Sequence, residues 1–220
     1  MRKWAKEHGL LVANLACFLV FFDGMVLSGA ASYSEDQQAH GEPPVSVLQF
    51  LGTGAFVEAT FENWESEFLQ MAMYVVLTVF LFQKGSSESK PLGKKAPQDE
   101  DPQQAAVSRA TPWPVRRGGA VLKLYENSLS ILLFALFLGS FALHAAGGVD
   151  EYNQDQQSHG QPAITFLQYL GSSRFWFESF QNWQSEFLAV GVLVGASVYL
   201  RQKGSPESKP VAEPHYETGA

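Results

Sequence analysis

A single cysteine, Cys17, rules out an intramolecular disulfide and any thiolate metal cluster; lying inside an apolar run, it reads as a small buried apolar side chain. The sequence holds no His-Glu-x-x-His, no Gly-x-Ser-x-Gly, no phosphate-cradling loop and no dinucleotide fingerprint. No complete nucleophile or cofactor motif therefore argues for an enzyme, and no cofactor is expected. Positive charge is also scarce, with 15 Lys and Arg against 22 Asp and Glu and a formal net charge of -7. Without a basic patch interleaved with aromatics to neutralise phosphates, nucleic acid is excluded as a partner.

What the chain does have is four long apolar segments, diluted by acidic, Gln-rich and Ser-rich stretches until the mean hydropathy is near neutral. The first, Leu10 to Ala31, is about 22 residues, enough to span roughly 30 Å of hydrocarbon as a helix and too long for the core of a secretory signal. Its counterpart, Ser128 to Val149, lies in mid-chain, so both are expected to be retained helices.

The copies are related by one constant offset. His40 and His159, Trp64 and Trp183, and Lys90 and Lys209 are each 119 residues apart, and from Tyr33–Pro91 against Tyr152–Pro210 about half the positions are identical. In each copy Asn-Trp-x-Ser-Glu-Phe-Leu (Asn63 to Leu69, Asn182 to Leu188) leads into an apolar run that stops at Gln-Lys-Gly-Ser (Gln83 to Ser86, Gln202 to Ser205). The predicted architecture is an all-α integral membrane protein: four transmembrane helices as two tandem helix-loop-helix repeats in the same orientation, related by a pseudo-two-fold axis along the membrane normal. The first membrane repeat is residues 1–91, with helices at about 10–31 and 61–83, and a disordered linker rich in Pro, Gln, Ser and charge covers 92–121. The second repeat is 122–210, with helices at about 124–149 and 180–201, and 211–220 is a disordered tail. Short interfacial helices or shallow re-entrant hairpins are expected in the external loops, around Val45–Leu51 and Ile164–Leu170.

Orientation follows from the cations. Residues 32–60 contain no Lys or Arg, whereas Arg2, Lys3 and Lys6 precede the first segment, the linker is crowded with Lys and Arg, and Arg201, Lys203 and Lys209 follow the last. The positive-inside rule places both termini and the linker in the cytoplasm of a multi-pass protein.

Several residues are candidates for chemistry. Asp23 and His144 are ionisable groups at similar depth in the first and third apolar segments, where each either pairs with the other or faces a water-filled vestibule. Asn63, Glu67, Gln70, Tyr74 and Thr78 fall on one helical face, a polar stripe whose outer part alone recurs as Asn182 and Glu186. Those outer residues more often read as helix caps and first-turn carboxylates. Trp64 and Trp183 are expected at the outer membrane boundary. Asp36 with His40, and Asp155 with His159, have the i, i+4 spacing of a carboxylate and an imidazole on one helical face. Four such groups at a two-fold axis suit a divalent metal, but loop Asp and His beside Gln and Gly are more often solvated or capping groups.

The doubled Asn-Trp-x-Ser-Glu-Phe-Leu motif with its Gln-Lys-Gly-Ser-x-Glu-Ser-Lys-Pro exit (Gln83 to Pro91, Gln202 to Pro210) resembles an uncharacterised family of small bacterial four-helix membrane proteins, over nearly the whole chain except the linker. The resemblance implies the bacterial inner membrane and four helices; it implies no activity. The expected function is that of a non-enzymatic binding or interaction protein, whose duplicated external loops meet a small ligand or another membrane protein. The alternative is a small transporter or channel subunit using the polar stripe and Asp23.

Overall fold

The structure is a computed structural model and describes residues 4, 7–104 and 108–219. The expected cytoplasmic cations Arg2, Lys3 and Lys6 lie outside the described residues. Among the described residues every regular element is helical. In chain order they are α1 (Gly9–Ala39), α2 (Val47–Phe50), α3 (Gly54–Phe80), a 3-10 turn (Pro97–Asp99), α4 (Trp113–Arg117), α5 (Gly119–Glu126), α6 (Ser128–Ser158), α7 (Phe166–Leu170) and α8 (Ser173–Ala196). The starts of α1 and α6, α2 and α7, and α3 and α8 are each 119 residues apart.

Only α1 and α6, among the described residues, are long and apolar enough to cross a membrane. Helices α3 and α8 carry Glu58, Glu62, Glu65 and Glu67, and Arg174, Glu178 and Glu186, before their carboxyl-terminal parts, leaving shorter apolar tails.

The helix boundaries differ from the sequence expectation in an instructive way. Helix α1 runs eight residues past Ala31, because nothing between Ala31 and His40 breaks it; it stops where Gly41 adopts a φ of +83° ahead of Pro43 and Pro44. The Tyr33–His40 motif and its copy Tyr152–His159 are therefore largely helical. Helices α3 and α8 start about seven residues before the expected 61 and 180. The Thr53 and Ser172 hydroxyls accept the backbone N–H of Phe56 and Phe175, each at 3.2 Å, so these residues are the caps. Asn63 and Asn182, expected as caps, sit inside their helices. The short helices α2 and α7 are where the sequence placed them, each opened by a capping box, Ser46 with Gln49 and Thr165 with Gln168.

The chain forms two compact units that do not follow the sequence repeats: Met1–Glu62 with Ala142–Trp176, and Asn63–Phe141 with Phe177–Ala220. In the first unit each copy builds the same aromatic cluster. Tyr33, Phe50 and Phe56 pack with ring centroids 5.7 and 5.6 Å apart, and Tyr152, Tyr169 and Phe175 with 5.9 and 5.6 Å. Helices α3 and α6 touch backbone to backbone there. A Cβ on Gly147 would lie 2.8 Å from the Gly54 carbonyl oxygen and 2.9 Å from Val57 Cβ, so only glycine permits this approach.

In the second unit the two Gln-Lys-Gly-Ser-x-Glu-Ser-Lys-Pro exits fold alike. Ser89 and Ser208 accept the N–H of Gln83 and Gln202, each at 2.9 Å, and Ser86 and Ser205 accept the N–H of Glu88 and Glu207, each at 3.1 Å. Gly85 and Gly204 turn at φ +86° and +88°, a region that favours glycine. The motif thus encodes a self-capped turn. In the first copy Lys90 then pairs with Asp99 at 2.6 Å inside the expected linker, and that hydrogen bond holds the Asp99 carboxyl below its ordinary range.

The second copy departs from the disordered tail the sequence suggests. Fully buried Lys209 donates to the carbonyls of Glu217, His215 and Pro214 at 2.9, 3.1 and 3.3 Å. The tail is also tied to the first exit: the Gly85 N–H donates to Thr218 Oγ1 at 2.8 Å, and the Gly219 N–H to the Ser86 carbonyl at 3.0 Å. A lysine ammonium buried away from water needs such acceptors, and the tail's own carbonyls supply them.

Candidate functional site

The helical continuation of α1 and α6 brings the duplicated Tyr-x-x-Asp-Gln-Gln-x-His motifs to one cavity of about 610 Å³ within the first unit. Tyr33 donates to Gln154 Oε1 at 2.9 Å, joining the two copies. The lining carries four carboxyl groups, Asp36, Glu42, Glu151 and Asp155, together with His40 and no Lys or Arg. One Glu151 carboxylate oxygen is buried with no hydrogen-bond partner among the described residues. Glu151 belongs to the polar end of α6, past the apolar segment that closes at Val149. Burial pushes its carboxyl above the ordinary range, the Arg174 guanidinium opposes this, and Asp36 and Asp155 add to it.

The candidate metal residues are arranged as two separate pairs. His40 Nδ1 lies 3.8 Å from Asp36 and His159 Nδ1 3.4 Å from Asp155, while each ring nitrogen also contacts its partner's backbone carbonyl, at 2.9 and 2.8 Å. Each imidazole thereby serves the carboxyl-terminal turn of its helix, the capping alternative. Asp36, His40 and Asp155 line the cavity; His159 does not.

Asp23 and His144 are not brought together as a pair. Asp23 is exposed on α1 and makes no hydrogen bond or ion pair among the described residues, whereas His144 is fully buried with its ring 4.9 Å from that of Phe175. Their two-residue offset in register swings the side chains about 200° apart around a helix.

The residues of the stripe belong to the second unit. Asn63 and Glu67 are exposed, and Glu67 is within electrostatic reach of the partly buried Glu186. Toward the other end Tyr74 donates to Glu88 at 2.9 Å and Thr78 to the Val75 carbonyl at 2.9 Å, so these polar groups are tied within the protein. Asn182 donates to the Glu178 carbonyl at 3.3 Å along its own helix. Trp64 is partly buried. Trp183 gives its indole N–H to Glu65 at 2.8 Å.

Sequence reasoning passed over Glu65, Glu58 and Tyr169. Glu65 is fully buried. Tyr169, also fully buried, donates to Glu58 Oε1 at 3.3 Å. The signal was available in the repeat itself, at positions where the copies differ in polarity: Glu58 answers to Phe177, Tyr169 to Phe50 and His144 to Met25.

These features define an all-helical protein, among its described residues, with two helices long and apolar enough to cross a membrane and an acidic cavity at their polar ends. The chain belongs to the family described as Domain of unknown function (DUF6766), which matches residues 1–220. No curated protein and no solved structure matches it.

Proposed function

We propose that the protein is a four-crossing integral protein of the bacterial inner membrane, with both termini and the linker cytoplasmic, that binds a small cationic ligand in the acidic cavity without transforming it. The membrane reading is supported by burial: of the most apolar 18 residues of α1 and α6 only 6% and 17% are buried, so these are not core helices of a water-soluble fold. The lipid bilayer is the natural cover for such surfaces. In this reading α3 and α8, helices of 27 and 24 residues each followed by lysine, make the third and fourth crossings as whole helices. Reporters fused after Gly85 or at the C-terminus are expected to be active only as cytoplasmic fusions, and reporters inserted near Gly41 or Gly160 only as external ones. A cytoplasmic signal at Gly160 would remove the same-orientation arrangement.

The observation that carries the binding reading is the cavity, where two copies of one motif contribute carboxylates and, among the described residues, no Lys or Arg lines the wall. A concave acidic site suits a small cation better than a broad protein surface does. Calcium and spermidine, titrated separately into the protein in nanodiscs, are the probes. At least one is expected to bind saturably, and Asp36→Asn with Asp155→Asn is expected to weaken it at least about tenfold, since a unit charge near a protein surface is worth about 1–4 kcal/mol at contact range. Binding should also weaken as pH falls. Glu151, whose carboxyl is held above the ordinary range, takes up its proton and loses its charge at a higher pH than a free glutamate. Saturable binding of neither probe would end this reading.

A further inference from the structure

A second constellation lies deeper in the first unit and plays no part in the cavity. Glu58 on α3 and His144 on α6 are 9% and 0% exposed, and their ligand atoms lie within 4.8 Å of one another. Close contact of Gly147 with the α3 backbone delivers the two side chains to the same place. Tyr169 donates its hydroxyl to Glu58 Oε1 at 3.3 Å, and Phe175 packs against both the His144 and Tyr169 rings, at 4.9 and 5.6 Å. We infer that Glu58 and His144 bind a single divalent transition-metal ion, with Tyr169 as the residue that positions the carboxylate.

The donor chemistry selects the class of ion. An imidazole nitrogen with a carboxylate suits zinc, cobalt, manganese or iron, whereas calcium and magnesium prefer oxygen donors throughout. Zinc-type bonds to nitrogen and oxygen are about 2.0–2.2 Å in tetrahedral geometry, so two donors on one ion stand about 3.4 Å apart, inside the 4.8 Å that bounds the spacing of these ligand atoms. A carboxylate oriented by a tyrosine hydroxyl, and an imidazole held in plane by aromatic packing, are the supports that fix ligands before the ion arrives.

The repeat adds an independent argument. At the equivalent positions stand Phe177, Met25 and Phe50, so all three polar groups occur in one copy of the arrangement and none in the other. Phe50 fills its place against Gly29 much as Tyr169 fills its own against Gly148. The aromatic cluster therefore forms without a hydroxyl at this position, and packing alone does not require one there.

The test uses full-length protein in nanodiscs, stripped with a chelator and titrated with cobalt(II), reading bound metal by elemental analysis and ligand type by visible absorption. One ion per chain is expected, with imidazole and carboxylate ligation. His144→Met and Glu58→Gln should each weaken binding at least 100-fold. Tyr169→Phe, which places in this copy the residue its counterpart already has, should weaken it about 10- to 100-fold with the fold intact. Asp23→Asn, exposed on α1, should leave it unchanged. Absence of stoichiometric binding by the wild type overturns the assignment, as does unaltered affinity in His144→Met or, should that variant not fold, in Tyr169→Phe. Cobalt binding that survives His144→Met but is lost in Asp36→Asn with Asp155→Asn would put the ion in the outer cavity, overturning this site while leaving the proposed function standing.

Discussion

Gly147→Ala is expected to lower the stability of the folded protein by about 1–3 kcal/mol, the usual cost of forcing an extra group into a packed interface. The added Cβ meets the Gly54 carbonyl at 2.8 Å and Val57 Cβ at 2.9 Å, and it also overlaps the Glu58 amide nitrogen. Two of these three neighbours are backbone atoms of α3, which cannot move aside as the end of a flexible side chain does. The helices must separate instead. Separation carries Glu58 away from His144, so the variant is also expected to bind metal more weakly. Gly139→Ala is the control on the same helix: nothing lies within 4 Å of a Cβ built there, and alanine suits a helix interior better than glycine by roughly 0.5–1 kcal/mol. Thermal unfolding in detergent, followed by circular dichroism, compares them. Equal midpoints for the two variants would show that the α3–α6 approach is looser than described.

Lys209→Met should release the C-terminal tail. Its ammonium serves three carbonyls of residues 214–217, and hydrogen bonds to a charged donor are each worth about 1.5–3 kcal/mol. Loss of even one such bond multiplies the open population by roughly 10- to 100-fold, at 1.4 kcal/mol per factor of ten. Methionine keeps the volume and supplies no donor, so the carbonyls turn outward to water and the ties from Thr218 and Gly219 to Gly85 and Ser86 loosen with them. A non-specific protease under conditions where cleavage follows the open population should therefore cut beyond Pro210 at least tenfold faster. Lys203→Met, at an exposed position of the same motif, should change nothing. Similar cleavage rates in Lys209→Met and the wild type would contradict the clasp.

The wider features of the fold were legible because they depend on local composition. Long apolar runs specify α1 and α6, and Gly-x-Pro with a Ser or Thr before Gln specifies where α2 and α7 begin, since these signals act within one or two turns of chain. The constant offset of 119 residues predicted which helices would correspond. Helix ends were less legible. Asn63 and Asn182 look like caps, but the Thr53 and Ser172 hydroxyls reach the amides first and the helices are already under way.

Half of the outer site could be read from sequence and half could not. That Asp36 and Asp155 belong to a repeated motif is a matter of spacing. That they face one cavity with Glu151 depended on α1 and α6 continuing as helices into what looked like loops, which the absence of a breaker between Ala31 and His40 allowed. Depth along a helix placed Asp23 and His144 together, and rotation about it separated them. Sequence alone determined the helical class, the apolar segments and the repeat, because each is written in neighbouring residues. Only the tertiary structure decided that Lys209 is caged by the tail, that Trp183 answers to Glu65, and that Gly147 brings Glu58 beside His144. Those pairings join residues far apart in the chain, and their energy comes from close approach and burial, which no local pattern records.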